Sequence, residues 1–230
     1  ELKPATNRLD APCAIHDSLL CVLSICTGEI WANQRGSSCF SMLTPTQSLL
    51  GRTRPRLSST LPDPRSILIV RPSALGDVCR TVPVLASLRR AYPEARIDWL
   101  IQDSFIDAIW HHPALTEAIP FARKDLGRSL SRLNPGPLLK LLSKLRANHY
   151  DLVLDCQGLA RSGFLTWATG ARRRVGYSDA RELSWLALNR RIKAPASMHT
   201  VDRMLELVRG IGIDPVSDMR LYTGPHERAW

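Results

Sequence analysis

Short apolar runs recur along the second part of the chain, and helical segments separate them. Residues 66–71 (SILIVR), 96–101 (RIDWLI) and 150–155 (YDLVLD) are each of strand length and contain aliphatic side chains in succession. Runs that are continuous rather than alternating are typical of strands buried on both faces of a parallel sheet. Because parallel strands need crossover connections, the sequence predicts right-handed βαβ units and a doubly wound, Rossmann-like α/β sheet.

The remaining periodicity predicts the other elements. Two weaker strands are expected at residues 117–120 and 174–177, and helical segments at residues 104–111, 136–148, 158–169, 180–188 and 199–210. A turn at residues 72–77 leads from the first strand to a helix that ends at Tyr92. Proline costs about 3 kcal/mol deep inside a helix, so we expect that helix to begin or kink at Pro83, with Thr81 as a possible cap.

The first part of the chain has a different composition. Residues 1–64 mix Pro, Ser, Thr and Gly with short apolar pieces, and residues 44–64 have the composition of a linker. We expect a poorly ordered leader or a non-native upstream segment there, and a small regulatory or anchoring module is the alternative. Residues 65–213 are the predicted domain, and residues 214–230 the start of an interdomain linker.

Positive charge is concentrated in the predicted domain. The chain has a formal net charge of +10. Residues 1–64 hold six Lys/Arg against five Asp/Glu, whereas residues 65–230 hold 25 against 16. A basic surface of this kind suits nucleic acid, a phosphorylated sugar or an acidic lipid headgroup, and charge alone does not choose among them.

The six cysteines show no pattern of a metal site. Four of them (Cys13, Cys21, Cys26 and Cys39) have irregular spacing without a C-x-x-C pair, so we expect free thiols and no metal. The apolar stretch at residues 19–26 is too short to span a bilayer and lacks the basic flank of a signal peptide. The chain is therefore expected to be soluble and cytoplasmic. Because it begins at Glu1 and stops at Trp230, we expect a fragment.

Two candidate sites follow strands, where open α/β sheets bind ligands. After the first strand, Gly76 allows close backbone approach and Asp77 presents a carboxylate. For a lone Gly-Asp after a strand, however, a helix cap is the better interpretation of the aspartate. After the strand at residues 150–155, Gln157 offers a donor and an acceptor suited to sugar hydroxyls. Asp155 is expected only to cap the following helix.

Several basic residues are candidates for binding an anion. Arginine side chains match carboxylates and phosphates bidentately, and the candidates are Arg123, Lys124, Arg181, His199 and Arg203. Each taken singly is an ordinary solvated charge, so the hypothesis requires that they converge. His111 and His112 are adjacent rather than spaced on one helix face, and we expect surface residues rather than metal ligands.

Familiar nucleotide and hydrolase motifs are absent from the sequence. The first strand is not followed by G-x-G-x-x-G, and neither G-x-x-x-x-G-K-[ST] nor G-x-S-x-G occurs. The sequence therefore argues against a dinucleotide-binding, P-loop or hydrolase function. Aromatic residues do not alternate with the basic positions as stacking platforms for bases would, so nucleic acid is not the expected partner.

Longer stretches resemble a known family in order and spacing. They are ILIVR, PSALGD, TVPVLASLRRAYPEARIDWL, YDLVLDCQGLARSGFLTWATGARRRVGY, AREL and NRRIKAPASMHTVDRMLEL. Together they resemble the ADP-heptose:lipopolysaccharide heptosyltransferases of glycosyltransferase family 9, most of all the members that add the first heptose. The resemblance covers about residues 67–213.

The resemblance implies a GT-B fold with two Rossmann-like domains facing a cleft. In that family the N-terminal domain binds the acceptor, Kdo-lipid A, and the C-terminal domain binds most of ADP-heptose. This chain would supply the acceptor-binding half, without a cofactor and without the donor domain, and would be inactive alone. Contact with the inner face of the cytoplasmic membrane would be peripheral.

The resemblance also implies roles for individual residues. Asp77 falls on the proposed catalytic base of an inverting transfer. The expected acceptor contacts are Arg71, Gly76, Arg123, Lys124, Gln157, Arg181, His199 and Arg203. The family's loop usually carries lysine and hydroxyl residues where this chain has Arg71, Pro72 and Ala74, and often a histidine at the position of Arg80. Alternatives are a member with another sugar donor or acceptor, and a non-catalytic Rossmann-like anion-binding module.

Overall fold

The computed structural model of the chain describes residues 63–224. The leader predicted for residues 1–64 and its four cysteines lie almost wholly outside this range. Six parallel strands form one sheet: β1 (Ser66–Val70), β2 (Arg96–Gln102), β3 (Glu117–Phe121), β4 (Leu152–Asp155), β5 (Arg173–Tyr177) and β6 (Arg190–Ile192). Their order across the sheet is β3-β2-β1-β4-β5-β6. This is the order of a Rossmann fold, which confirms the predicted fold class.

Helices cover both faces of the sheet. They are α1 (Leu75–Ala91), α2 (Arg123–Ser131), α3 (Gly136–Ala147), α4 (Ala160–Ala168) and α5 (Thr200–Gly210), with 3₁₀ helices at Asp103–Ala108 and Ser184–Ala187. The apolar core on one face contains side chains of α1 and α5, and the core on the other contains Leu126, Leu145 and Leu165 of α2, α3 and α4. The central strands are therefore buried from both sides, as their continuous apolar runs predict.

The strand order reverses between β1 and β4. These two strands pair in register from Ile67 with Leu152 to Val70 with Asp155, and their chains then leave toward opposite sides of the sheet. A crevice at the carboxyl ends of two such strands is the usual ligand site of this fold. The predicted loops after β1 and β4 meet there.

The expected start of the first helix is wrong. Helix α1 begins at Leu75 and includes Pro83. Thr81 is not a cap: it lies inside the helix, and its hydroxyl donates to the Asp77 carbonyl at 2.7 Å. Burial of Val82 and Val84 on either side of the proline stabilises the helix despite the missing backbone donor.

Other differences are local. Helix α2 and strand β6 were not predicted, and the helical segment expected at residues 180–188 is only the short 3₁₀ helix Ser184–Ala187. The strand predicted at residues 117–120 is confirmed as β3, and helix α3 confirms the one predicted at residues 136–148. Of the cysteines, Cys79 and Cys156 lie in the described range and are free thiols.

The segment after α5 lies against α1. The Ser87 hydroxyl accepts from the backbone N–H of Val216 at 2.8 Å, and Arg90 donates to the carbonyl of Asp214 at 2.6 Å. Further along, Tyr222 packs edge-on against His112, with ring centroids 4.9 Å apart. His112 is only 6% exposed, so the expectation that it lies on the surface is wrong.

No helix between residues 63 and 224 combines the length and apolar character that crossing a bilayer requires.

Candidate functional site

Arg71 is the central residue of the crevice between β1 and β4. It immediately follows β1, and its side chain is almost completely buried. One terminal nitrogen forms an ion pair with the carboxylate of Asp77, and the other donates to the carbonyl of Cys156 at 2.5 Å. Arg71 therefore joins the turn after β1 to the loop after β4 and fixes the direction of the Asp77 side chain.

Asp77 lies in the first turn of α1, where the positive end of the helix dipole favours a carboxylate. Its Oδ1 atom is 3.4 Å from the guanidinium of Arg80, and its side chain remains 31% exposed. Asp77 is not the helix cap, because that position belongs to Ala74. The carboxylate is thus held by arginine on one side and accessible to a ligand on the other.

Gly76 precedes Asp77 on an open surface. An added Cβ would meet nothing within 4 Å, and Gly76 is not among the described residues with positive φ. The fold itself places no steric demand for glycine there. The space beside its backbone is available to a ligand.

Gln157 lies across the crevice from the β1 turn. Its Nε2 donates to the Ser73 hydroxyl at 3.3 Å. Its Oε1 is buried and has no hydrogen-bond donor among the described residues. A buried acceptor without a donor costs about 1–3 kcal/mol, so a ligand hydroxyl that donated to Gln157 would remove that cost.

Asp155 organises the loop that carries Gln157. Its carboxylate is fully buried and accepts from the backbone N–H groups of Gln157 and Gly158 and from the hydroxyls of Ser162 and Ser184, at 2.9–3.2 Å. Burial raises the pKa of Asp155, and these four hydrogen bonds oppose the rise. The expectation that Asp155 only caps the next helix is wrong, because Leu159 occupies the cap position.

Gly163 allows the 3₁₀ helix Ser184–Ala187 to approach α4. A Cβ at Gly163 would lie 2.6 Å from the Ser184 hydroxyl oxygen, which is closer than non-bonded atoms approach. The glycine therefore brings Ser184 within reach of Asp155.

Cys156 is not a candidate nucleophile. It is fully buried, and burial raises the pKa of its thiol to about 12, although Arg71 partly opposes this. A thiol of that pKa stays protonated near neutral pH.

Arg203 of α5 reaches the end of β5. Its guanidinium carbon lies 4.3 Å from the centre of the Tyr177 ring, a cation–π contact. The same side chain donates to the Ala194 carbonyl at 3.1 Å and to the Asp179 carboxylate at 2.5 Å. The sequence pattern singles out Arg203 but not Tyr177 or Asp179, although Tyr177 ends a predicted strand and Asp179 follows it closely.

His199 and Arg181 are exposed near the same sheet edge. His199 caps α5, and its Nδ1 accepts from the N–H of Val201 at 3.4 Å. The backbone N–H of Arg181 donates to the carbonyl of Gly158 at 2.9 Å, which places Arg181 next to the Gln157 loop.

Arg123 and Lys124 begin α2, directly after β3. Strand β3 is separated from β1 by β2, and strand spacing of about 4.8 Å puts it roughly 10 Å from β1. No ion pair joins these two residues to the Arg71–Asp77 pair within the described range. They lie at the same edge of the sheet as the other candidate residues, at the end nearest β3.

Within residues 63–224, no group of three or more His, Cys, Asp or Glu side chains is arranged to hold a metal ion.

Part of the chain matches the model of a known protein family. Residues 138–219 match the model of glycosyltransferase family 9 (heptosyltransferase). The matched range begins in α3 and ends beyond α5, so it includes the Gln157 loop and Arg203.

Relatives found by sequence are lipopolysaccharide heptosyltransferases. The chain is 34% identical over 148 residues to lipopolysaccharide heptosyltransferase 1 of Pseudomonas aeruginosa, covering 61% of this chain and 41% of the relative. It is 32% identical over 145 residues to the enzyme of the same name from Escherichia coli, covering 61% and 46%. The chain therefore spans less than half the length of these relatives.

Solved structures show the same fold. Escherichia coli heptosyltransferase WaaC with ADP-2-deoxy-2-fluoro heptose has a TM-score of 0.58 and 30% identity, covering 66% of this chain and 50% of that one. Escherichia coli ADP-heptose lps heptosyltransferase II has a TM-score of 0.57 and 22% identity, covering 71% and 48%. The second supports the fold alone.

Proposed function

Since the chain carries a glycosyltransferase family 9 domain, we propose that it is the acceptor-binding half of an inverting heptosyltransferase. The enzyme would transfer heptose from ADP-heptose to a Kdo residue of the lipopolysaccharide inner core. The Arg71–Asp77 pair carries the proposal, because it presents an oriented, partly exposed carboxylate in the crevice between β1 and β4.

The reaction assigns a proton to Asp77. The acceptor hydroxyl oxygen attacks the anomeric carbon of heptose and gives its proton to the Asp77 carboxylate, while the bond between that carbon and the ADP oxygen breaks. Attack from the face opposite the leaving group inverts the configuration. General-base assistance contributes typically about 10²- to 10⁴-fold to the rate.

Arg71 and Gln157 position this step. The ion pair from Arg71 holds the Asp77 carboxylate at the crevice. The Oε1 of Gln157 has no donor among the described residues. If the side chain turned toward the crevice, this atom would accept from a second sugar hydroxyl and fix the orientation of the ring. Proximity and orientation of this kind lower the barrier by removing the entropy cost of assembling the reactants.

The basic side chains at the sheet edge suit an anionic acceptor. Kdo carries a carboxylate, and the acceptor glycolipid also carries phosphate groups. Arg181, His199 and Arg203 lie beside β4 and β5, and Arg123 and Lys124 lie beside β3. We propose that these two groups of side chains bind the acid groups of the acceptor from opposite sides, at the inner face of the cytoplasmic membrane.

The proposal is tested by ligand-observed NMR with a water-soluble Kdo oligosaccharide. Saturation transfer to Kdo is expected with the natural chain and is expected to disappear with Arg181→Ala. Arg65→Ala is the matched control, because Arg65 precedes β1 at the opposite edge of the sheet and should not affect binding.

ADP-heptose and a short oligonucleotide test the proposal further. ADP-heptose should bind weakly and should not be consumed by the chain alone, because transfer requires both substrates to be held together. Binding of a short oligonucleotide without binding of Kdo would contradict the proposed function.

A further inference from the structure

An apolar groove lies between α4 and the turn that precedes β6. It has a volume of about 290 Å³. Its lining includes Ala160, Gly163, Phe164, Trp167, Leu183 and Leu186. Trp167, Leu183 and Leu186 are 55%, 65% and 61% exposed, respectively. Three large apolar side chains grouped in this way mark a contact surface rather than scattered exposure.

The backbone displays Leu183 at a conformational cost. Glu182 and Leu183 have φ values of 53° and 59°. This left-handed conformation costs residues with side chains roughly 1–2 kcal/mol each. The carboxylate of Glu182 accepts from the backbone N–H of Ala160 at 3.0 Å, which fixes the turn against the start of α4.

Arginine side chains lie beside the groove. Arg174 donates to the carbonyl of Ala187, which lines the groove, at 2.6 Å. The acidic side chain of the lining, Glu182, accepts from the backbone at the start of α4. Arg191 also stacks on Trp185, with its guanidinium carbon 4.6 Å from the ring centre.

Apolar and basic side chains in one surface match an acidic bilayer. Tryptophan and leucine enter the region between headgroups and acyl chains, and arginine contacts the lipid phosphates. Each basic residue near an anionic leaflet contributes favourably to attachment. A protein partner with a purely apolar ridge would leave the arginines without counter-charges.

We propose that this groove, with the arginines around it, is the surface through which the domain rests on an acidic lipid bilayer. Trp167, Leu183 and Leu186 would enter the interfacial layer. Arg181 continues the same turn and bonds through its N–H to Gly158, next to Gln157. The proposal rests on the proposed function in that the acceptor is lipid-linked, so docking here would bring the crevice close to the headgroup that it glycosylates.

The test is co-sedimentation of the full chain with vesicles that contain no Kdo. Vesicles of phosphatidylcholine with phosphatidylglycerol should bind the chain, and vesicles of phosphatidylcholine alone should not. Leu183→Asn combined with Leu186→Gln should weaken binding about tenfold or more, because two leucines no longer leave water. Asparagine tolerates the left-handed conformation, so the turn is retained, and Leu183→Asn alone should show a smaller loss.

Leu133→Asn is the matched control. Leu133 is also a left-handed leucine, with φ of 57°, and is 90% exposed, but it lies between α2 and α3 outside the groove. An equal loss with Leu133→Asn would overturn the proposal, as would binding that is indifferent to the acidic lipid. A change in sedimentation coefficient caused by the double variant without vesicles would instead indicate contact between copies of the chain and would also overturn it. None of these outcomes affects the Kdo measurement, so the two proposals fail separately.

Discussion

The guanidinium of Arg71 and the carboxylate of Asp77 form an ion pair across the turn that joins β1 to α1. Arg71 is 8% exposed and also donates to the Cys156 carbonyl after β4. One side chain thus couples the proposed base to both strands of the crevice. A buried charge that loses its partner is costly, so this relationship predicts an effect on stability that is separable from catalysis.

Asp77→Asn should lower the free energy of unfolding by about 1–2 kcal/mol, because Arg71 loses its ion-pair partner. The cost is smaller than for a fully buried ion pair, because Asp77 is partly exposed to solvent. Urea denaturation measures the change. Arg80→Ala is the control. Arg80 approaches the other carboxylate oxygen at 3.4 Å from a mostly solvated position, so its loss should cost less than about 0.5 kcal/mol. Equal losses for the two variants would show that the Arg71 pair does not stabilise the crevice.

Asp155 should tolerate asparagine but not alanine. Asparagine retains an oxygen for the N–H groups of Gln157 and Gly158, and its amide can donate to the two serine hydroxyls. Alanine leaves those donors unpaired and should cost about 2–4 kcal/mol. Thermal or chemical unfolding near neutral pH distinguishes the two variants. Similar losses for both would mean that the carboxylate charge itself is required.

The pH dependence of stability gives a second test of the same residue. Burial raises the folded-state pKa of Asp155 above its ordinary value of 3.8. The folded state therefore binds the proton more tightly than the unfolded state. Its contribution is fully present below the unfolded pKa and is lost as the pH rises through the folded pKa. Asp155→Asn, which does not titrate, should remove this loss, and unfolding measured across the acidic range would reveal it.

The elements predicted correctly from the sequence are those whose signal lies within a short stretch of neighbouring residues. The central strands were recognisable because burial on both faces leaves continuous apolar runs. Arg71, Asp77 and Gln157 were proposed as site residues because they lie in the loops that follow such strands. The start of α1 was mispredicted because contacts made by Val82 and Val84 with distant parts of the core offset the local cost of Pro83. Helix propensity reflects only the local sequence, so it does not include the free energy of these core contacts.

The features that were missed depend on residues far apart in the chain. Tyr177 and Asp179 contact the candidate residue Arg203 because α5 brings Arg203 to them. His112 is buried because Tyr222 returns from beyond α5 to cover it. A pattern within a short window holds no signal for such pairings, whereas the strand-end rule depends on one element and its loop.

His112 should make stability sensitive to mild acid. Burial lowers the pKa of His112 from the ordinary 6.5; Asp218 opposes the change and Arg220 reinforces it. The unfolded chain therefore takes up the proton first as the pH falls, and stability present above about pH 6.5 is lost below it. His112→Asn keeps an acceptor for the N–H of Ala114, which donates to Nδ1 at 3.1 Å, and should reduce the loss.

The control for that measurement is His111→Asn. His111 is exposed, and its replacement should leave the acid-induced loss of stability unchanged. Unfolding curves between about pH 7 and about pH 5 provide the comparison. An equal reduction in both variants would assign the effect to the pair of histidines rather than to the buried ring.

Arg203→Lys should weaken acceptor binding about tenfold, a difference of about 1.4 kcal/mol. Lysine carries the same charge, but it lacks the planar fork that stacks on Tyr177 while donating to Asp179 and Ala194. Titration with a water-soluble Kdo oligosaccharide measures the affinity. Arg209→Lys on the same helix is the matched control, because the side chain of Arg209 pairs with Glu206 at i,i+3. If Arg203→Lys binds as tightly as Arg209→Lys, then positive charge alone at this position is sufficient, and the stacked geometry on Tyr177 has no part in acceptor recognition.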